Sequence, residues 1–169
     1  AGGSILLKGD RVELGEGQVL ALGGEGGAGK TNGKEGKRAV LSKSDLSNHN
    51  LSGVNLSAAD FSLATMKGCD MSKSECLMSD FSYCDLRGAV FARADLRGSK
   101  FSRANLSGAN LVAVDLSEVM VSTRAGGGEW RANLDNAKLK GALLNGANLK
   151  NGDFTKCDFT EADLRDADL

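Results

Sequence analysis

The chain has 169 residues, with 21 basic against 22 acidic side chains and a formal net charge of −1. That balance calls for no nucleic acid, anionic membrane or acidic substrate as partner. One His, one Tyr and one Trp make a thin catalytic toolkit, and no apolar run approaches the ~20 residues that span a bilayer.

Residues 1–22 contain short β-like runs, Ile5-Leu6-Leu7, Val12 with Leu14, and Val19 to Leu22. Gly9-Asp10 and Gly15-Glu16-Gly17 punctuate them, which predicts a small hairpin or meander. This segment is read as an N-terminal cap or as the remnant of a tag or preceding domain. It has no basic stretch followed by a 7–15-residue apolar core of the secretory kind; the cytoplasmic setting expected for the chain rests on its thiols being read as reduced. Residues 23–38 are rich in Gly with scattered Lys and Glu, a linker composition.

Within 24–31 the spacing G-x-x-x-x-G-K-[ST] is satisfied, ending in Gly29-Lys30-Thr31. A phosphate-binding loop needs a helix N-terminus behind it and a parallel sheet beyond. Asn32-Gly33-Lys34-Glu35-Gly36 makes a poor helix, and a different pattern begins within ten residues. The tract is read as a chance match, at most a weak anion nest, and no cofactor is expected.

From Leu41 an apolar residue recurs every five positions through Leu46, Leu51, Leu56 and Phe61 to Val121, and again from Leu134 to Leu169. All six Phe residues fall on these centres. Two residues before each centre stands a small residue, usually Ala, and between the two a polar one, as in Ala94-Asp95-Leu96 and Ala104-Asn105-Leu106. A period of five is neither the helical 3.6 nor the strand alternation of two. The repeat divides the rest of the chain into 39–121, a break at 122–131 carrying Gly126-Gly127-Gly128 and Trp130, and 132–169. The last residue is itself a centre, with no capping helix after it, so the sequence is expected to be a piece cut from a longer protein or to have its last coil covered by something else.

The unit A-(D/N)-L-x-x resembles that of the pentapeptide-repeat family, over 39–121 and 132–169. The resemblance implies an all-β fold, a right-handed quadrilateral β-helix with one pentapeptide per side and four per coil. Centre and small residue then point inward and the other three face solvent. A 20-residue superperiod supports four sides independently: Phe61, Phe81 and Phe101 are 20 apart, as are Ser42, Ser62, Ser82, Ser102 and Ser122. In-register stacking makes these ladders, and the repeats suffice for about six coils interrupted by one loop.

Cys69, Cys84 and Cys157 occupy small inward slots and Cys76 a centre, without the paired spacing of zinc sites, so they are read as core thiols. His49 shares the small-slot column with Cys69 and is read as structural, since no third orienting group accompanies the pair. Arg87, Arg93, Arg97, Lys100 and Arg103 spread over all four walls, blunted by Asp60, Asp80, Asp85 and Asp115, unlike the one-sided footprint of a nucleic-acid binder.

Leu63, Leu77, Met78 and Tyr83 are large apolar residues in outward slots and are the candidate partner-binding residues, with Trp130 as an alternative anchor. The expected function is a non-enzymatic protein-interaction or scaffold module for a protein partner, with no catalytic or metal-binding residues. End-to-end self-association through the terminal coil at Leu164 and Leu169 is a further expectation. The resemblance implies two alternatives. One is a DNA-mimic modulator of DNA gyrase, although those family members are strongly acidic. The other is the repeat domain of a larger adaptor, for example one carrying a BTB domain that recruits ubiquitin ligases.

Overall fold

The computed structural model describes residues 5–8, 11–14, 18–21, 30–31, 34–35, 39–123 and 126–169. Near the N-terminus, β1 (Ile5–Lys8), β2 (Arg11–Leu14) and β3 (Gln18–Ala21) form an antiparallel meander in the order β1-β2-β3. β4 (Lys30–Thr31) pairs antiparallel with β5 (Lys34–Glu35). The rest of the linker tract, residues 24–29 included, lies outside the described residues.

The pentapeptide folds by satisfying its own backbone locally and handing the remainder to the next coil. After each centre the chain turns, the fourth residue donating its N–H to the centre carbonyl, as Ala64 does to Phe61 at 2.9 Å. The third residue of the turn has positive φ, the type II arrangement. Gly fits there at Gly88 and Gly108, while Leu63, Met78 and Tyr83 accept the conformation at a cost of roughly 1–2 kcal/mol each. The polar residue before the centre also has a local task. Asp80 Oδ1 accepts the N–H of Ser82 at 2.9 Å, and Asp60 and Asp70 do the same for Ser62 and Ser72. This is an Asx turn, and it explains the Asp/Asn preference at that slot.

The remaining backbone groups point along the axis. Leu41 N–H donates to Asp60 O at 2.7 Å and Asp60 N–H to Ala39 O at 2.9 Å. Bridges join residues 20 apart around all four sides, so each coil is a parallel neighbour of the next. The first wall stacks Leu41, Phe61, Phe81, Phe101, Leu134 and Phe154. The second, third and fourth follow at five-residue steps, through Leu46, Leu51 and Leu56.

Stacked coils dictate the core. Phe81 lies between Phe61 and Phe101, both ring centroids 4.7 Å away and the planes within 9° of parallel. That distance is the strand spacing itself. Phe91 on the opposite wall meets Phe81 edge-on at 5.7 Å. Such a cross-section leaves room only for small residues beside each centre, and Ala59, Ala64, Ala104 and Ala109 are fully buried. At several small slots Ser or Cys finds a carbonyl one coil back. Ser79 donates to Leu56 O at 2.8 Å, Ser99 to Cys76 O at 2.7 Å and Cys84 to Phe61 O at 2.8 Å.

The break differs from the sequence expectation. Val119 and Val121 continue the five-residue rhythm but do not enter the core. They belong to β6 (Val119–Thr123), which pairs antiparallel with β7 (Gly126–Trp130) in a protruding hairpin. The solenoid therefore departs after Leu116, earlier than residue 121. It resumes where Phe101 N–H donates to Asn133 O at 2.6 Å. Bridge spacing lengthens from 20 at Asp95↔Asp115 to 33 at Lys100↔Asn133, and returns to 20 at Asn133↔Asp153. Leu134 thus takes the place that the periodicity assigned to Val121. In the last coil Phe154, Phe159 and Leu164 are only half-buried and Leu169 is exposed.

Candidate binding surface

Each outward side chain occupies a column set by the coil repeat. Leu63 and Tyr83 stand one above the other at the corner that follows the first wall, 52% and 53% exposed. Arg103 continues the column and lays its guanidinium over the Tyr83 ring, Cζ 5.7 Å from the centroid. That cation–π contact braces the ring without covering Leu63. The two large residues sit in left-handed slots that Gly fills without strain elsewhere, so packing inside the solenoid does not account for their presence.

Leu77 and Met78 lie at the other corner of the same wall, the one before Phe81, and both are half-buried. The hairpin settles beside Met78. A Cβ added to Gly98, the residue one coil on from Met78, would sit 2.8 Å from Val119 Cγ1, 3.2 Å from Trp130 O and 3.4 Å from Met78 Cγ. Gly98 thus serves twice: its φ is +66°, and its missing side chain lets the hairpin settle on the solenoid. Trp130, 46% exposed, ends β7, and Met120, 70% exposed, stands on the adjacent strand. The candidate residues therefore form two groups on either side of the first wall: Leu63 with Tyr83, and Leu77 with Met78, the latter beside the hairpin that carries Trp130.

The sequence reading missed Met120, because the residue looks like the polar slot of a repeat that does not form. It also missed Val90 and Leu143. Each replaces the usual Asp or Asn before a centre, and that replacement is the signal that identifies them.

Two cations of the belt, Arg87 and Arg97, are neutralised in place. Arg87 Nη2 is 2.8 Å from Asp85 Oδ2, with Lys67 Nζ at 3.4 Å, and Arg97 Nη2 is 2.7 Å from Asp95 Oδ2. Hydrogen bonds from the Arg87 side chain above all, then from Lys67 and the Arg87 N–H, lower the Asp85 pKa to about 2. A depressed carboxyl stabilises the fold above its unfolded value, and the contribution fades as pH falls through the folded value. For Asp85 that window lies between 3.8 and about 2. Acid titration of Asp85→Asn is expected to show a shallower loss of stability across it than the parent, and an unchanged slope would contradict the assignment.

Burial pushes the thiols of Cys69, Cys76 and Cys84 up to about 12, and that of Cys157 to about 11. Since the thiolate is the nucleophile, these are poor candidates for chemistry at neutral pH. Iodoacetamide should label Cys157, in the half-buried last coil, before the other three; prior labelling of Cys76 in the folded protein would contradict this placement. His49 is half-buried, with Nδ1 3.1 Å from Ser47 O. Lys30 and Thr31 form a strand, not the start of the helix that a phosphate-binding loop requires. No helix among the described residues is long and apolar enough to cross a membrane, and no group of three or more His, Cys, Asp or Glu there is set to hold a metal ion.

The fold and its outward columns define a β-helical solenoid that presents side chains on flat walls at fixed intervals. The pentapeptide-repeat family model matches residues 37–72, 79–117 and 132–169 in 8 copies, more than half of the chain. The chain belongs to the pentapeptide-repeat family, and its solenoid is the right-handed quadrilateral β-helix.

Among solved structures, it is similar to a pentapeptide repeat protein of the Arabidopsis thaliana thylakoid lumen, with 28% identity, 66% of this chain and 69% of that one covered, and a TM-score of 0.51. It is similar in fold to the pentapeptide repeat protein Rfr23 of the cyanobacterium Cyanothece 51142, with 22% identity, 73% and 86% coverage and a TM-score of 0.52. The match to QnrB1, a plasmid-mediated fluoroquinolone resistance protein, has 23% identity, 72% and 57% coverage and a TM-score of 0.37, too loose to carry an argument. No curated protein matches the sequence.

Proposed function

We propose that the chain is a non-enzymatic binding module that docks a protein partner on the outside of the solenoid. The observation that carries this reading is the Leu63–Tyr83 column: two large apolar side chains, each about half exposed, held in strained left-handed slots on a rigid scaffold. Burying an apolar side chain of that size against a partner releases roughly 1.5–3 kcal/mol before association costs. The Arg103 brace fixes Tyr83 in advance, which lowers the ordering cost of such a contact. Near-neutral net charge sets this reading apart from mimicry of duplex DNA, and a cytoplasmic setting accords with four free cysteines.

The test is partner capture by the intact solenoid, repeated with Leu63→Ser/Tyr83→Ser, with Met78→Ser and with Trp130→Ser. The first variant is expected to lose capture by about tenfold or more, as for a hot spot. Capture that survives this variant but fails in Trp130→Ser would move the contact to the hairpin. A gyrase supercoiling assay at micromolar protein separates the gyrase alternative, and no inhibition is expected.

A further inference from the structure

We infer that the third wall is a self-complementary face through which two copies associate, antiparallel, about a two-fold axis passing beside Asn110. The inference rests on the reading of the walls as binding surfaces but concerns a different wall from the one bearing Leu63 and Tyr83.

Three observations carry it. First, the middle of this wall departs from the repeat. Val90 and Leu143 stand where neighbouring coils place Asn110 or Asp70, bridged through the register Val90↔Asn110↔Leu143, and Leu143 is 43% exposed. Both give up an Asx bond that their neighbours make, from Ser72 N–H to Asp70 and from Val112 N–H to Asn110 at 3.1 Å. A polar residue would serve the turn better in both slots, so local folding does not explain them.

Second, the wall is low and flat around these residues. Its leading corner is Gly88, Gly108 and Gly141, where an added Cβ would find nothing within 4 Å. Its trailing edge in the same coils is Ala92, Val112 and Asn145. No charge stands between the two, whereas the corresponding coils of the other walls carry Asp80 and Lys100, Asp85 and Lys138, or Asp95 and Asp115. Bare glycine backbone and small apolar groups allow a second sheet to approach closely.

Third, the pattern reads the same in both directions from the coil of Asn110. Reversal about that coil sets Val90 against Leu143 of the second copy, Leu143 against its Val90, and Val112 against its Val112. Gly88 faces Gly141, and the two Asn110 amides meet on the axis, where each can donate and accept. One coil further out, Lys73 comes opposite Asp166 of the second copy, since both occupy the same corner column. Neither forms an ion pair among the described residues. Asp70 comes opposite Asp163, a like charge that Arg165, 2.7 Å from Asp163, offsets. A patch whose apolar and neutral elements match under a two-fold, with Lys73 facing Asp166 at its edge, fits an isologous interface.

Five overlapping coils at ~4.8 Å and a wall about 10 Å wide give a projected face of about 250 Å² per copy, well under the ~800 Å² per partner of a standard stable complex. The association is therefore weak and concentration-driven.

Sedimentation equilibrium of the full chain from about 10 μM to about 1 mM should show the mean mass climbing from one chain toward two. Val90→Lys and Leu143→Glu, each checked for intact fold by circular dichroism, should each weaken association by about tenfold or more. The double variant should restore it, because Lys at 90 then faces Glu at 143 of the second copy twice over. Leu63→Ser/Tyr83→Ser should associate like the parent, so loss of partner capture in that variant bears on the other wall alone. A single-chain mass across the whole range, or a double variant no better than the singles, overturns the inference.

Discussion

Phe81→Ala will destabilise the solenoid by about 3–5 kcal/mol, the cost of a buried aromatic truncation that leaves a cavity. Phe81 is fully buried, stacked on Phe61 and Phe101 at 4.7 Å and touched edge-on by Phe91. The hole cannot close, because the rings on both sides are held at the coil spacing by backbone bonds such as Phe81 N–H to Lys100 O at 2.7 Å. Ser82→Ala, one residue along, leaves the Asp80 bond to the backbone N–H intact and should shift stability by less than about 0.5 kcal/mol. Urea unfolding followed by far-ultraviolet circular dichroism measures both. Similar losses from the two substitutions would mean that the inward and outward assignment is wrong.

Gly98→Ala will cost more than Gly88→Ala, although both glycines occupy the same kind of left-handed turn position, with φ of +66° and +65°. At Gly88 an added methyl group meets nothing, so only conformational strain of roughly 1–2 kcal/mol is expected. At Gly98 the same group would sit 2.8 Å from Val119 Cγ1 and 3.2 Å from the carbonyl of Trp130, and the hairpin must shift. The total there is expected to reach roughly 2–4 kcal/mol. The single Trp in the chain reports the displacement directly: Trp130 emission should change in Gly98→Ala and stay as in the parent in Gly88→Ala. Equal losses with unchanged emission in both would show that the hairpin does not rest on the solenoid.

The core was legible in the sequence for a simple reason. A coil that repeats every 20 residues puts equivalent side chains 20 apart, so the spacing of Phe61, Phe81 and Phe101 already announces their stack. The hairpin was not legible, because Val119-Met120-Val121 satisfies the small, intervening and central slots of one more unit. Only the return of the chain at Asn133 under Lys100 shows that the unit is not used. The closeness of Met78 to the hairpin was hidden for the same cause: the hairpin lies about forty residues later in sequence, and no local pattern points to it. The third wall was missed for a different reason. Large residues at turn corners draw the eye, whereas Val90 and Leu143 matter by what they replace, an Asx-turn acceptor, rather than by their size.

The claim that a partner is bound by outward side chains of a rigid solenoid is tested most directly by hydroxyl-radical footprinting with and without the captured partner. Leu63, Tyr83, Met120 and Trp130 are all exposed enough in the isolated chain to be oxidised. The account predicts that the partner protects Leu63 and Tyr83 strongly while oxidation of Met120 remains at its free level. Protection of Met120 and Trp130 with Leu63 and Tyr83 unchanged would contradict it.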